Sequence, residues 1–158
     1  MGKTSRTPSG AALSELFLDL FSVTNRVVAS GDKLVAGLGL TSARWQILGT
    51  VVAAERPQPV AWLARDLGAH RQNVQRIVND LAKEGLVAFE ANPHHRRATL
   101  VVLTKKGKRA YEAAMLLQVP WTNMLAEGIP LKDIETTHAV LAALRQKLES
   151  GGEAEEQD

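Results

Sequence analysis

The sequence predicts a mainly α-helical domain with one small β-hairpin. Apolar residues recur at spacings of three and four along most of the chain, whereas two short runs, at 86–90 and 99–103, are β-branched or apolar without that period. With 158 residues, 45% of them hydrophobic, the chain is long enough to bury one core. We place a single domain at 11–149 and expect disordered tails at 1–10, which is polar, and 150–158, which is Gly-rich and acidic.

Six helices follow from the apolar spacing and from capping residues. In chain order they are predicted at 11–30, from after Thr41 to before Pro57, at 60–67, 71–84 and 105–126, and from about Pro130 onward. Gly31 and Asp32 are expected to stop the first helix. Trp45, Leu48 and Val52 are expected to form the inner face of the second.

Composition and motifs exclude several functional classes. Cysteine is absent, which excludes disulfides, thiolate metal sites and a cysteine nucleophile. No apolar run approaches the ~18 residues of a membrane span, and the first residues do not resemble a signal peptide, so a cytoplasmic protein is expected. The sequence holds no HExxH motif and no phosphate-binding Gly loop, so we predict neither an enzyme nor a cofactor. His94 and His95 are adjacent on the predicted hairpin and would point to opposite faces, so no metal site is predicted there.

The net charge of +2 hides a basic centre. Residues 65–109 hold ten Lys or Arg against four Asp or Glu, whereas the last ten residues hold five acids and no base. A concentrated basic segment is typical of a polyanion binder, although a solvated basic face would have the same composition.

A helix-turn-helix pattern lies inside this basic segment. The predicted helices 60–67 and 71–84 are joined by a tight turn at Gly68, Ala69 and His70. The apolar positions of the second helix are Val74, Ile77, Val78 and Leu81. Its outer face carries Arg71, Gln72, Asn73, Gln75, Arg76 and Asn79. Arg can pair with guanine, and Asn or Gln with adenine, so this face is predicted to read bases in a major groove.

The tip of the hairpin is cationic. Arg96 and Arg97 stand beside His94 and His95 on a segment that is polar throughout. A narrow minor groove attracts an inserted Arg, so the tip is a candidate second DNA contact, including His95 with the two arginines. The alternative is a charged turn that only keeps the hairpin soluble.

Three segments together resemble the MarR family of winged-helix bacterial regulators. They are LTSARWQIL, VAWLARDLGAHRQNVQRIVNDLAKEGLV and NPHHRRATLVVLTKKG, in that order. The resemblance implies a winged helix-turn-helix domain with a DNA-binding part at 41–109, flanked by N- and C-terminal dimerisation helices at 11–40 and 110–149. It also implies a homodimer with a recognition helix in each major groove and wing arginines at the minor groove, acting at the nucleoid. Control by a small, often aromatic, ligand is a further implication.

Two positions depart from the family pattern. Many members carry an Asp two residues before the wing arginine, where it braces that arginine; here His95 stands at that position and Arg97 is the arginine. His70 stands where relatives commonly have a Ser cap, and His caps a helix less well, so His70 is instead a candidate phosphate contact.

We therefore predict a homodimeric DNA-binding regulator, a repressor responsive to a ligand, that binds a palindromic operator. The apolar stripe of the last helix supports a dimer; its positions are Ile134, His138, Leu141, Leu144 and Leu148. The alternative is a winged-helix module that binds another protein without sequence-specific DNA binding. Phe17, Trp45 and Met115 are candidates for lining an effector crevice, although apolar residues at helical spacing also suit a plain core.

Overall fold

The structure is a computed structural model that describes residues 5–155, with side chains through residue 151. The chain divides into two compact units between Val119 and Pro120. The α-helices within the described residues are α1 Pro8–Val35, α2 Ser42–Ala53, α3 Val60–Leu67, α4 Arg71–Lys83, α5 Lys105–Ala126 and α6 Leu131–Glu155, and a short 3-10 helix at Ala36–Leu38 follows α1. The strands are β1 Gln58–Pro59, β2 Val87–Glu90 and β3 Leu100–Leu103. The predicted fold class, mainly α-helical with a small β-hairpin and a helix-turn-helix, is confirmed.

The first helix does not stop at Gly31 and Asp32, so that prediction is wrong. Both residues lie inside α1, where they join it to the start of α2. A Cβ atom at Gly31 would lie 2.5 Å from the Ser42 hydroxyl, so only glycine allows this approach. The Asp32 carboxylate accepts a hydrogen bond from the Ser42 amide at 2.7 Å, and the Ser42 hydroxyl donates to the Val28 carbonyl at 2.8 Å. Gly31 and Asp32 therefore do not end α1; they hold the start of α2 against it.

The first and last helices also extend into the predicted tails. α1 begins at Pro8, because the Thr7 hydroxyl accepts a hydrogen bond from the Gly10 amide at 3.1 Å and caps the helix. α6 continues to Glu155. The rest of the predicted tails, residues 1–4 and 156–158, lies outside the described residues.

The inner face of α2 is rotated from the predicted one. Thr41 caps the helix as expected, accepting from the Arg44 amide at 3.2 Å. Leu48 and its neighbour Ile47 are buried, but Val52 is 46% exposed and Trp45 is half-buried. Val52 was predicted on the wrong face, because one residue turns an α-helix by about 100° and the buried stripe passes through Ile47 and Leu48.

One strand was not predicted. β1 pairs antiparallel with β3, which also pairs with β2, so the sheet order is β1-β3-β2. A two-residue strand has no readable period, and its Pro59 suits an edge strand, which has no partner on one side. The core lies where α2, α3 and α4 meet this sheet and is built from fully buried side chains such as Leu48, Leu63, Val78 and Leu81.

The start of α5 is fixed against the turn between α4 and β2. The Thr104 hydroxyl accepts from the Gly107 amide at 3.0 Å and lies 2.6 Å from the Gly85 carbonyl oxygen, to which it donates. Gly107 packs against the Leu86 carbonyl, where no Cβ would fit. Thr104 therefore caps α5 and also holds the base of the hairpin.

Candidate nucleic-acid interface

The turn between α3 and α4 depends on Gly68. Its φ of 62° is a left-handed conformation, which glycine adopts without steric cost. The Gly68 amide bonds to the Arg65 carbonyl at 3.0 Å and the Ala69 amide to the Ala64 carbonyl at 2.9 Å, closing the helix end. α4 can then begin three residues later and pack against α2, α3 and β2.

α4 has one buried face and one exposed polar face. The four predicted inner residues, Val74, Ile77, Val78 and Leu81, are all buried. On the other side, all the predicted reading residues are exposed except Gln75, which is half-buried. With Asp80 and Lys83, residues of this face line a shallow groove along the helix. A 13-residue helix is about 20 Å long, so the face can span several base pairs in a major groove.

Most polar side chains on this face already have partners within the helix. Arg76 donates to the Asn73 side-chain oxygen at 2.9 Å and lies 3.9 Å from the Asp80 carboxylate. Gln75 donates to the Asn79 side-chain oxygen at 3.0 Å. Arg71 makes no hydrogen bond or ion pair with the residues that the structure describes. The face therefore combines one free cation with a set of oriented donors.

His70 precedes α4 but does not cap it. Its backbone is extended, and its side chain makes no capping hydrogen bond. The ring instead lies 3.2 Å from the Gln72 side-chain oxygen. Because first-turn amides have no partner within a helix, those of α4 are open to an external acceptor such as a phosphate.

Asn92 organises the loop between β2 and β3, which we call the wing (residues 91–99). Its side-chain amide donates to the Ala98 carbonyl at 2.9 Å, and its side-chain oxygen accepts from the His94 amide at 3.0 Å. The Ala98 amide in turn bonds to the His95 carbonyl at 3.1 Å. Sequence reasoning missed this role of Asn92, although an Asn before Pro is a common turn signal.

The wing arginines have no bracing acid. Arg96, Arg97 and the neighbouring His95 are exposed, and neither arginine makes an ion pair with any residue between 5 and 151. Two guanidinium groups thus project from a loop whose backbone is fixed by Asn92. Such a loop can present positive charge to a polyanion without first breaking an internal contact.

The far end of α4 is held by a bidentate ion pair that the sequence did not suggest. The two Arg44 guanidinium nitrogens lie 2.9 and 2.7 Å from the Glu84 carboxylate oxygens, and the Lys106 ammonium donates to the Glu84 carbonyl at 2.7 Å. The hydrogen bonds from Arg44 lower the pKa of Glu84 below its usual 4.5. This contact ties α4 to α2 and to the start of α5.

The three predicted effector residues are spread over three helices. Trp45 on α2 packs against the core, Met115 on α5 is half-buried, and Phe17 on α1 is exposed. None of them lines the groove along α4 or either of two further surface depressions, one beside α2 and one at the base of the wing. Their role in ligand binding stays a prediction.

Fold and site together define a winged helix-turn-helix transcriptional regulator that binds DNA. The chain belongs to the MarR family: the family's sequence profile matches residues 38–98. An uncharacterised protein of Mycobacterium tuberculosis is 36% identical over 125 residues, covering 79% of this chain and 86% of that protein. The transcriptional activatory protein BadR of Rhodopseudomonas palustris is 33% identical over 104 residues, covering 63% of this chain and 58% of BadR.

Solved structures agree with this assignment. The transcriptional repressor CouR, bound to a 23-mer DNA duplex, is 25% identical with a TM-score of 0.72, covering 89% of this chain and 99% of CouR. Family and fold are those of transcriptional regulators. No helix within residues 5–155 is long and apolar enough to cross a membrane.

Proposed function

We propose that this protein is a ligand-responsive repressor that binds a palindromic operator as a homodimer in the cytoplasm. The observation that carries the proposal is the exposed polar face of α4, followed by a wing whose two arginines make no ion pair with the described residues. CouR, which is similar in fold and sequence, is a repressor bound to duplex DNA. BadR is an activator, so the direction of regulation is one of the points that the experiment decides.

In this proposal α4 enters the major groove. Arg71 and Arg76 would contact guanine, and Asn73 or Asn79 adenine, with about 1–3 kcal/mol of discrimination for each good bidentate pair. The open amides after His70 would donate hydrogen bonds to a phosphate and fix the helix in register. Phosphate and base contacts would then come from the same helix.

Exposed apolar side chains on the first and last helices support a homodimer. Leu18 and Phe21 on α1 are 71% and 70% exposed, and Leu131 and Leu148 on α6 are 69% and 72% exposed. Large exposed apolar surfaces mark interaction sites, and a second copy of the chain would cover them. A two-fold dimer requires a palindromic site with half-sites centred about 10 base pairs apart.

The test is a mobility-shift titration on the DNA that flanks the gene, with scrambled DNA of equal length. We expect tight, salt-sensitive binding to the flanking DNA, protection of a palindrome, and a dimer by sedimentation. Arg76→Ala or Arg97→Ala should weaken this binding, and Arg145→Ala serves as the charge-matched control, since Arg145 lies on α6, outside the expected DNA-binding part. Equal affinity for both DNAs at moderate salt would contradict an operator-specific regulator. Absence of DNA binding, with a protein partner recovered instead, would favour the interaction module.

The direction of regulation needs a reporter assay. We expect a promoter fusion to the flanking DNA to be silenced by the protein in a heterologous host. Activation of that fusion would place the protein with BadR rather than with CouR.

A further inference from the structure

Three of the four histidines in the sequence lie at the candidate nucleic-acid interface. His70 precedes α4, and His94 and His95 lie on the wing; all three side chains are exposed. The fourth, His138, lies on α6. Histidine is the side chain whose charge ordinarily changes between pH 5 and 8, whereas arginine stays charged throughout. The charge of this surface can therefore vary with pH.

The charged groups around the two wing imidazoles are cations. The wing arginines follow His94 and His95 on the same loop. Arg56, from the segment before β1, lines the same depression at the base of the wing as the two imidazoles, and its described lining contains no Asp or Glu. Glu90 at the end of β2 makes no ion pair within residues 5–151. In the described part of the chain, no carboxylate is therefore paired with either imidazole.

His70 also lacks an acidic partner within the described residues. Its ring contacts a neutral group, the Gln72 side-chain oxygen at 3.2 Å, and the next residue is Arg71. The first turn of α4 contains no acidic residue, and Asp66 on α3 is paired with Arg65 at 3.8 Å. Since the N-terminal end of a helix is the positive end of its dipole, an anion bound there would interact with the helix and with a protonated His70 together.

A DNA phosphate supplies an anion for all three imidazoles. A hydrogen bond from a protonated imidazole to a phosphate is charge-assisted and is roughly twice as strong as one from a neutral donor. DNA therefore binds the protonated form of these side chains more tightly than the neutral form. By linkage the two equilibria reinforce each other: DNA binding favours proton uptake, and a lower pH favours DNA binding.

We propose that DNA binding takes up protons at His70, His94 and His95, so that affinity for DNA rises as the pH falls from 8 to 6. This inference rests on the proposed function and adds a pH response to it. The arginines hold DNA at either pH, and the histidines strengthen the contact at the lower one. Carboxylates ordinarily titrate near pH 4, so those of α4 contribute little in this range.

The pH response is measured by fluorescence anisotropy at one salt concentration, on the flanking DNA and on scrambled DNA of equal length. We expect affinity for both DNAs to rise about tenfold between pH 8 and pH 6, because both carry the same phosphates. The slope of log affinity against log salt should steepen by about one to two at the lower pH. Affinity that does not change with pH overturns the inference and leaves the proposed function standing. Failure to bind either DNA at any pH overturns the proposed function itself.

Proton uptake is measured directly by calorimetry on the wild-type protein. The flanking DNA is titrated in PIPES and in bis-Tris at about pH 6.5, since these buffers differ in their enthalpy of ionisation. We expect the binding enthalpies to differ by an amount that corresponds to uptake of about one proton or more per protomer. Equal enthalpies in the two buffers overturn the inference without recourse to any variant.

Variants locate the protons. The triple variant His70→Asn, His94→Asn and His95→Asn should lose most of the rise in affinity, because asparagine can still form hydrogen bonds but takes up no proton. His94→Lys with His95→Lys should bind more tightly than wild type at pH 8 and show a smaller rise, because its charge is fixed.

His138→Asn is the matched control, because it removes a histidine from α6 and should keep the rise. Circular dichroism at each pH checks that the variants are folded. A rise that persists in the triple variant, or one that disappears in His138→Asn, overturns the assignment to the three interface histidines.

Discussion

Helix α4 and the wing carry cations in two different states. On α4, Arg76 is oriented by Asn73 and Asp80, so its guanidinium has a defined direction before DNA arrives. On the wing, Arg96 and Arg97 have no partner within residues 5–151, and only the backbone beneath them is fixed. An oriented guanidinium suits hydrogen bonding to a base edge, whereas an unpaired guanidinium suits attraction to the phosphate backbone and the minor groove. If this difference matters for function, Arg76 should determine base preference, and Arg96 and Arg97 should determine the salt dependence of binding.

The largest effect is expected for Arg76→Ala. Loss of a bidentate base contact should cost about 1–3 kcal/mol on the operator and relax specificity at one base pair in each half-site. Arg76→Lys is the matched control, because it keeps the charge and loses the fork. Affinity is measured on the operator and on every single-base substitution of it. A uniform loss across all sequences, restored by Arg76→Lys, would show that Arg76 only supplies charge.

A different signature is expected for the wing. Arg96→Ala with Arg97→Ala should weaken binding to operator and unrelated DNA alike, by about tenfold, and reduce the slope of log affinity against log salt by about two. The slope, measured between low and moderate salt, separates this variant from Arg76→Ala. An unchanged slope would mean that the wing arginines do not touch phosphates.

More of α4 than of the wing could be predicted from the sequence. The inner stripe of α4 was predictable residue by residue, because a 3.6-residue period fixes which side chains face the core. The bracing of the wing was not, since Asn92 acts through backbone contacts that no period reveals. Gly31 is a third case. A glycine permits either a helix end or a close contact between helices, and only its tertiary neighbour, Ser42, shows which of the two applies here.

Long-range pairs were the least predictable part of the site. Arg44 and Glu84 are forty residues apart, and nothing in the spacing of either indicates the other. β1 was missed for a related reason, because its partner Val101 lies far along the chain. Local signals therefore predicted which face of α4 is exposed and polar, whereas tertiary contacts decide how that helix is held.

A gain of affinity is expected for Asp80→Asn. The carboxylate lies 3.9 Å from Arg76 and 4.0 Å from Lys83, where it partly neutralises both cations. Its removal should strengthen binding to unrelated DNA about two- to fivefold at low salt, with a smaller effect at high salt because screening weakens it. Asp66→Asn on α3 is the matched control. Weaker operator binding in Asp80→Asn would mean that orienting Arg76 matters more than the charge.

A few-fold loss is expected for Asn92→Ala. The change removes two hydrogen bonds that hold the wing backbone and none on α4, so DNA affinity should fall about two- to fivefold without a change in base preference. Amide hydrogen exchange should rise at His94 and Ala98 and stay unchanged in α4. Faster exchange in α4 as well would show that helix and wing are not independent.

The smallest effect concerns the end of α4. Since Arg44 lowers the pKa of Glu84 below 4.5, their ion pair stabilises the folded state above that pH and loses its contribution as the pH falls through the lowered value. Because Glu84 is largely exposed, Glu84→Gln should cost at most about 1 kcal/mol at pH 7. Below pH 4.5 the difference between wild type and variant should shrink.

Urea unfolding at pH 7 and at pH 3.5 measures this difference. Glu149→Gln is the control, since its pair with Arg145 at 3.9 Å lies within one helix and joins no second element. A difference that stays constant with pH would mean that the carboxylate charge is not what stabilises the contact. The base preference of Glu84→Gln is measured on the operator as for Arg76→Ala. If Glu84→Gln lowers only the stability and leaves base preference unchanged, Asn73 and Asp80 suffice to orient Arg76 without the Glu84 contact.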